Sequence, residues 1–122
     1  MEKRKYTRFR AQGNAYAALR DHTSKVGKIY DISMNGLGFR YLADQKLEEK
    51  FTCVDIFLSD GEFLMFQVPC DIVYDLTEEN SGTTRVSPYR CGLQFKPLNE
   101  EQQDKLEYFL DNCTAGECEL KS

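Results

Sequence analysis

A chain of 122 residues, 41% hydrophobic and 30% charged, is long enough for one modest core and too apolar for a disordered tail. Its net charge of −4 argues against a general binder of long polyanions. It has no apolar run of membrane-spanning length and no apolar leader, which argues against a membrane span and a secretory signal.

The charge is unevenly placed. The first ten residues hold five cations and one anion, whereas residues 97–122 hold two cations and seven anions. Residues 1–13 therefore read as a flexible basic arm with Arg4 and Arg8 four apart, a pattern suited to seeking an anion. A solvated tail that aids solubility is the plainer reading of the same charges.

Strands are predicted next. "NAYAALR" (14–20) leads through the polar turn "DHTSK" to "VGKIYDI" (26–32) and "LGFRYL" (37–42). In the last, Leu37, Phe39 and Tyr41 alternate with outward Gly38 and Arg40. "FTCVDIFL" (51–58) is apolar enough for the middle of a sheet, and Asp60-Gly61 after it is a hairpin signal. "EFLMFQV" returns, Pro69 predicts a bulge or bend, and "CDIVYDL" continues. A polar loop over 77–88 precedes "YRCGLQF" (89–95), where Tyr89, Cys91, Leu93 and Phe95 point in and Arg90, Gly92 and Gln94 point out.

Asn99 is a good N-cap, with Glu100 and Glu101 in the first turn and Gln102 placed for a capping box. Leu106, Phe109, Leu110 and Cys113 follow at helical spacing, and Gly116 offers an end. The fold expected is all-β: an antiparallel barrel of six to seven strands (14–97) with one C-terminal helix (98–116), a single domain over 1–122.

Little of this suggests catalysis, and no enzyme is expected. The lone His22 sits in a turn, no cysteine lies in a nucleophile context, and no phosphate-binding glycine loop occurs. Five cysteines, an odd number without a leader, imply free thiols in a cytoplasmic protein. With one histidine there are too few ligands for a zinc site, so no metal and no cofactor are expected.

The second stretch of interest is "YDISMNGLGF" (30–39), where Asp31, Ser33 and Gly36 fall in or beside a turn. Alone, Asp-x-Ser with Asn-Gly is ordinary turn chemistry. Arg4-x-x-x-Arg8 upstream and Asp31-x-Ser33-x-x-Gly36 at a strand edge together resemble the paired signature of the PilZ domain family, bacterial receptors for cyclic di-GMP. "YRCGLQFKPLNEEQQDKLEYFL" (89–110) resembles the family's closing strand and helix, so the likeness spans nearly the whole chain.

The resemblance implies a PilZ-type barrel that binds cyclic di-GMP through Arg4, Arg8, Asp31, Ser33 and Gly36. A planar guanidinium donates paired hydrogen bonds to phosphate and stacks on a purine, which suits Arg4 and Arg8. An ionised carboxylate only accepts, so Asp31 matches the N1–H and amine of guanine; an ion pair positioning Arg8 or Arg4 is the other role open to it. Ser33 offers a hydroxyl to base or phosphate, and Gly36 lets backbone approach the ligand. Lys3, Lys5 and Arg10 are further candidates for phosphate contact or added field. Gly38 and Arg40, outward beside the second motif, are candidates as well, while Tyr89 and Arg90 open a late strand from which relatives sometimes reach the ligand.

The expected role is a receptor and adaptor whose arm orders on binding cyclic di-GMP and signals to a separate, unidentified effector protein. Only three residues precede Arg4, which favours a stand-alone domain, monomeric or homodimeric, with no membrane insertion and no nucleic-acid polymer as partner. Two other classes compete: a PilZ-fold interaction module that binds no nucleotide, and a small-barrel binder of single-stranded nucleic acid.

Overall fold

The computed structural model of the chain describes residues 6–20, 25–43, 51–77 and 86–118. Among these, the elements in chain order are β1 (Phe9–Ala11), β2 (Ala15–Arg20), β3 (Lys25–Ser33), β4 (Gly36–Ala43), β5 (Phe51–Leu58), β6 (Leu64–Thr77), β7 (Ser87–Phe95), α1 (Glu100–Asn112) and β8 (Thr114–Glu117). Every strand pairing is antiparallel. The sheet order is β2-β5-β6-β7-β4-β3-β1-β8, and β2 also pairs with β3. Six strands thus close a barrel, and β1 and β8 extend it beyond β3.

Period-two alternation explains the barrel wall. Leu37, Phe39 and Tyr41 of β4 are buried, as are Tyr89, Cys91, Leu93 and Phe95 of β7, while Arg40, Arg90 and Gln94 face solvent. They share one core with Leu19, Ile32, Val54 and Ile56. Burial of each large apolar side chain stabilises the fold by roughly 1.5–3 kcal/mol. The helix α1 buries Leu106, Phe109 and Leu110 in the same core, with Phe109 edge-on to Phe63 at 4.9 Å.

The capping box forms as the sequence predicts: Gln102 N–H donates to Asn99 Oδ1 (2.7 Å), and Asn99 N–H donates to Gln102 Oε1 (3.0 Å). The helix end differs. It closes at Asn112, not near 116, and Thr114–Glu117 form a strand instead. Thr114 Oγ1 satisfies the Leu110 carbonyl (3.0 Å), and β1 offers an edge on which the chain recovers backbone hydrogen bonds. For the same reason residues 9–11, counted above with the flexible arm, are strand: β3 pairs with them on one side and β8 on the other.

Pro69 does not interrupt β6. The ladder slips earlier, where Gln67 takes a φ of +56° and its N–H donates to buried Asp55 Oδ1 (2.8 Å), and again between Ile72 and Tyr74. Pro69 sits where β7 has run out, and its carbonyl accepts from Lys96 N–H (2.8 Å), so its missing donor costs nothing there. The turn expected at 21–25 falls, but for Lys25, outside the described residues, as do His22 and most of the loop expected at 77–88.

Candidate functional site

The site grows from the turn between β3 and β4. Ser33 Oγ accepts the Asn35 N–H (3.2 Å) and donates to Asn35 Oδ1 (2.7 Å), a side-chain-closed turn of the kind that short hydroxyl residues favour. A Cβ on Gly36 would overlap the Leu93 carbonyl oxygen, so only glycine lets β4 start this close to β7. Phe95 N–H donates to the Asn35 carbonyl (2.8 Å) and fixes the turn to β7. Both signature positions therefore serve the fold, Ser33 by closing the turn and Gly36 by seating it.

Two residues upstream, β3 carries an irregularity between Ile29 and Asp31, so that Asp31 lies opposite Gly38. Its carboxylate accepts from Arg8, Nη1 to Oδ2 at 3.1 Å, with the Asp31 side chain 15% exposed and that of Arg8 47%. Arg8 arrives there because β1 pairs with β3 in a register that sets Phe9 opposite Ile32 and Arg10 opposite Asp31. A pair this exposed stabilises the fold by about 0–1 kcal/mol. Its weight lies in placing a guanidinium beside the turn.

Arg8, Asp31, Ser33, Gly36 and Gly38 line one cavity of about 230 Å³. Its far wall comes from β6 and β7 through Tyr74, Gly92 and Gln94. Gly38 and Gly92 are direct cross-strand partners, and each is roofed by a tyrosine: a Cβ on Gly38 would meet the Tyr30 ring, and one on Gly92 the Tyr74 ring. The expected outward orientation of both glycines is thus right for the sheet face, yet the rings bury them.

The tyrosine hydroxyls are hydrogen-bonded at 2.6 Å, and the Arg90 guanidinium stands 4.8 Å from the Tyr30 ring centre. Burial, reinforced by the Tyr30 hydroxyl, pushes the Tyr74 phenol up, so it keeps its proton at neutral pH. A wider hollow of about 660 Å³ adjoins this cavity across Asn35 and Gln94, reaching Tyr6, Met34 and the first turns of α1.

The remaining sequence candidates fall elsewhere. Arg10 turns to the C-terminal strand, its Nη2 donating to the Ala115 carbonyl (3.3 Å). Arg40 is exposed on β4, paired with Arg90 and Lys28 across the sheet and away from the cavity lining. Lys3, Arg4 and Lys5 lie outside the described residues. Tyr74 and Gln94 were not foreseen as cavity residues; the signal was a glycine in each of "LGF" and "CGL" with a tyrosine on the strand beside it.

Cys53, Cys70, Cys91, Cys113 and Cys118 are free thiols. Burial pushes Cys70 up to about 12 and raises Cys91 and Cys113, so these three are protonated at neutral pH. Among the described residues no group of His, Cys, Asp and Glu has the makings of a metal site, and no helix is long and apolar enough to cross a membrane.

Comparison with known proteins adds to this geometry. The PilZ domain family model matches residues 2–112. The chain is similar to the solved PilZ domain with c-di-GMP of YcgR from Escherichia coli, at 14% identity and a TM-score of 0.71, covering 92% of each chain. It is also similar to the K. pneumonia MrkH–c-di-GMP complex (19%, TM-score 0.64, 92% of this chain and 52% of that one). The Bacillus subtilis inhibitor of motility MotI/DgrA is a third such structure (13%, TM-score 0.62, 88% and 49%). The chain spans about half the length of the latter two. No curated protein matches it.

Proposed function

This chain belongs to the PilZ domain family, and we propose that it is a receptor for cyclic di-GMP that passes its bound state to a separate effector protein. One observation carries the reading: Arg8 and Asp31, from motifs 23 residues apart, meet at 3.1 Å on the wall of a cavity that Ser33 and Gly36 also line. YcgR and MrkH, whose domains resemble this one, are solved with the same dinucleotide.

Each role follows from chemistry. Arg8 donates to a phosphate oxygen and presents its flat face to a purine. Of its five N–H donors, the bond to Asp31 engages one. Asp31 holds Arg8 through Oδ2 and keeps Oδ1 for the donor edge of guanine, an edge adenine lacks. Ser33 and Gly36 act through the turn they build. Arg4 supplies the second guanidinium, with Lys3 and Lys5 adding to its field. A cavity of about 230 Å³ is smaller than the roughly 300–1,000 Å³ of sites that enclose drug-sized ligands. The ligand therefore sits with one guanine in the cavity and the rest across the adjoining hollow.

Calorimetry on the purified chain tests the reading. Micromolar or tighter binding of cyclic di-GMP is expected, with little heat from cyclic di-AMP or GTP. Arg8→Ala and Arg4→Ala should each weaken binding about ten- to a hundredfold, the loss of one charge-assisted contact. Wild-type affinity in both variants removes the arginines from the site. An interaction module binds none of these ligands, and a nucleic-acid binder retains oligonucleotides in proportion to length.

A further inference from the structure

The strand that follows Arg8 is built into the sheet from both sides, by β3 on one and β8 on the other. β1 is three residues long. On its β3 side two residue pairs hold it, Phe9 with Ile32 and Arg10 with Asp31. On its other side β8 pairs Phe9 with Glu117 and Ala11 with Thr114. Just beyond β8, Cys118 N–H donates to the carbonyl of Arg8 itself (2.9 Å). Arg8 is thus gripped twice, at its carbonyl by residue 118 and at its guanidinium by Asp31.

β8 in turn is anchored from behind. Cys113 is buried in the core, and Thr114 bonds the last turn of α1. The β1–β8 register spans three residues on one strand and four on the other, and the extra residue is absorbed at Ala115–Gly116. Gly116 takes a φ of +121°, which L side chains rarely adopt, and the Ala115 carbonyl accepts from Arg10 Nη2.

We propose that β8 and residue 118 position Arg8 for its ligand, and that Arg10 is a positioning residue acting through Ala115 and makes no contact with the ligand. The consequence for affinity rests on the cyclic di-GMP reading above. By reciprocity, a ligand held by Arg8 stabilises β8, which makes that exposed edge a reporter of the bound state on the protein surface.

A pair of variants at Cys118 tests this. Cys118→Pro removes the N–H that holds the Arg8 carbonyl, whereas Cys118→Ala keeps it. Calorimetry should show cyclic di-GMP affinity about fivefold weaker in the proline variant, as loss of one hydrogen bond implies, with the alanine variant within about twofold of wild type. Without ligand, the amides of residues 9–11 should exchange at least about fivefold faster in Cys118→Pro than in Cys118→Ala.

Arg10→Gln gives the second readout. A positioning role predicts an affinity loss of the same size at low and high salt, while a direct phosphate contact loses most at low salt. Equal affinity and equal exchange in the two Cys118 variants overturn the proposal, as does a salt-dependent loss in Arg10→Gln. If Cys118→Pro fails to fold, the Arg10→Gln result decides. If the wild type does not bind cyclic di-GMP, the functional reading falls, and the exchange comparison still decides whether β8 holds the arm.

Discussion

Replacing Asp31 with Asn separates the two roles its carboxylate can play. The Arg8 side chain is about half exposed, so losing the ion pair should lower stability by at most about 1 kcal/mol. In a domain of this size that moves Tm by only a few degrees. Affinity should move much more. If Oδ1 accepts from guanine, the charge-assisted bonds lost with the carboxylate weaken cyclic di-GMP binding roughly ten- to a hundredfold. Asn still presents one carbonyl oxygen but turns a donor toward the donor edge of the base.

The assay is a double-mutant cycle by calorimetry on wild type, Asp31→Asn, Arg8→Ala and the double variant, with melting curves as a control. Direct reading of guanine predicts that Asp31→Asn costs affinity in both backgrounds and narrows the preference over cyclic di-AMP. A role confined to orienting Arg8 predicts that it costs nothing once Arg8 is gone. Affinity within about twofold of wild type in Asp31→Asn would refute both, and with them the placement of the ligand at this wall.

Three further outcomes follow from packing and burial. Gly36→Ala drives a methyl into the Leu93 carbonyl, where neither backbone can give way, and should cost ~1–3 kcal/mol, read as a lower Tm by scanning calorimetry. Gly92→Ala should displace the Tyr74 ring and break its bond to Tyr30, at similar cost; the same change in a Tyr74→Ala background should cost markedly less, and additive costs would show that the ring does not fill the glycine notch. For Cys70, burial raises the thiol from 9.0 to about 12 in the folded chain, so the unfolded chain loses its proton first. This contribution is fully present below pH 9 and is lost as pH climbs from about 9 toward 12, and Cys70→Ala should flatten that part of the denaturation-midpoint profile.

Much of the barrel was legible because each wall strand is buried on one face only. Leu37, Phe39 and Tyr41 on one strand and Tyr89, Cys91, Leu93 and Phe95 on another must alternate, since a slip of one residue would turn them to water. The capping box was legible because its donors and acceptors lie within four residues. What escaped was made by partners distant in sequence. "FRA" and "TAGE" have little strand character, and each is strand because the other lies beside it, more than a hundred residues along the chain. Tyr30 and Tyr74 are likewise joined across 44 residues, which hid the cavity wall. Ser33 and Gly36 stood out through their resemblance to a family signature, but their work within the turn shows only once β7 is in place.

The arrangement at Arg8 also bears on why the proposed site would use two arginines. An arginine side chain carries about 2 kcal/mol of rotamer entropy. Here part of that freedom is already lost, because Asp31 holds the guanidinium and Cys118 the carbonyl before any ligand arrives. Preorganisation of this kind lowers the cost of binding. Yet it brings no net charge, since the Arg8–Asp31 pair is neutral and the ligand carries two phosphates. Attraction then falls to the cations that precede Arg8 in the sequence, Lys3, Arg4 and Lys5. Arg8 should act by geometry and Arg4 by field, and added salt distinguishes the two because it screens exposed charges beyond about 10 Å at 0.1 M. The affinity lost in Arg4→Ala should shrink as salt rises, while that lost when the neutral pair is removed whole, in the Arg8→Ala and Asp31→Asn double variant, should persist. Parallel salt dependences for the two variants would mean that the Asp31 pair opens on binding and that Arg8 meets the phosphate as a free charge.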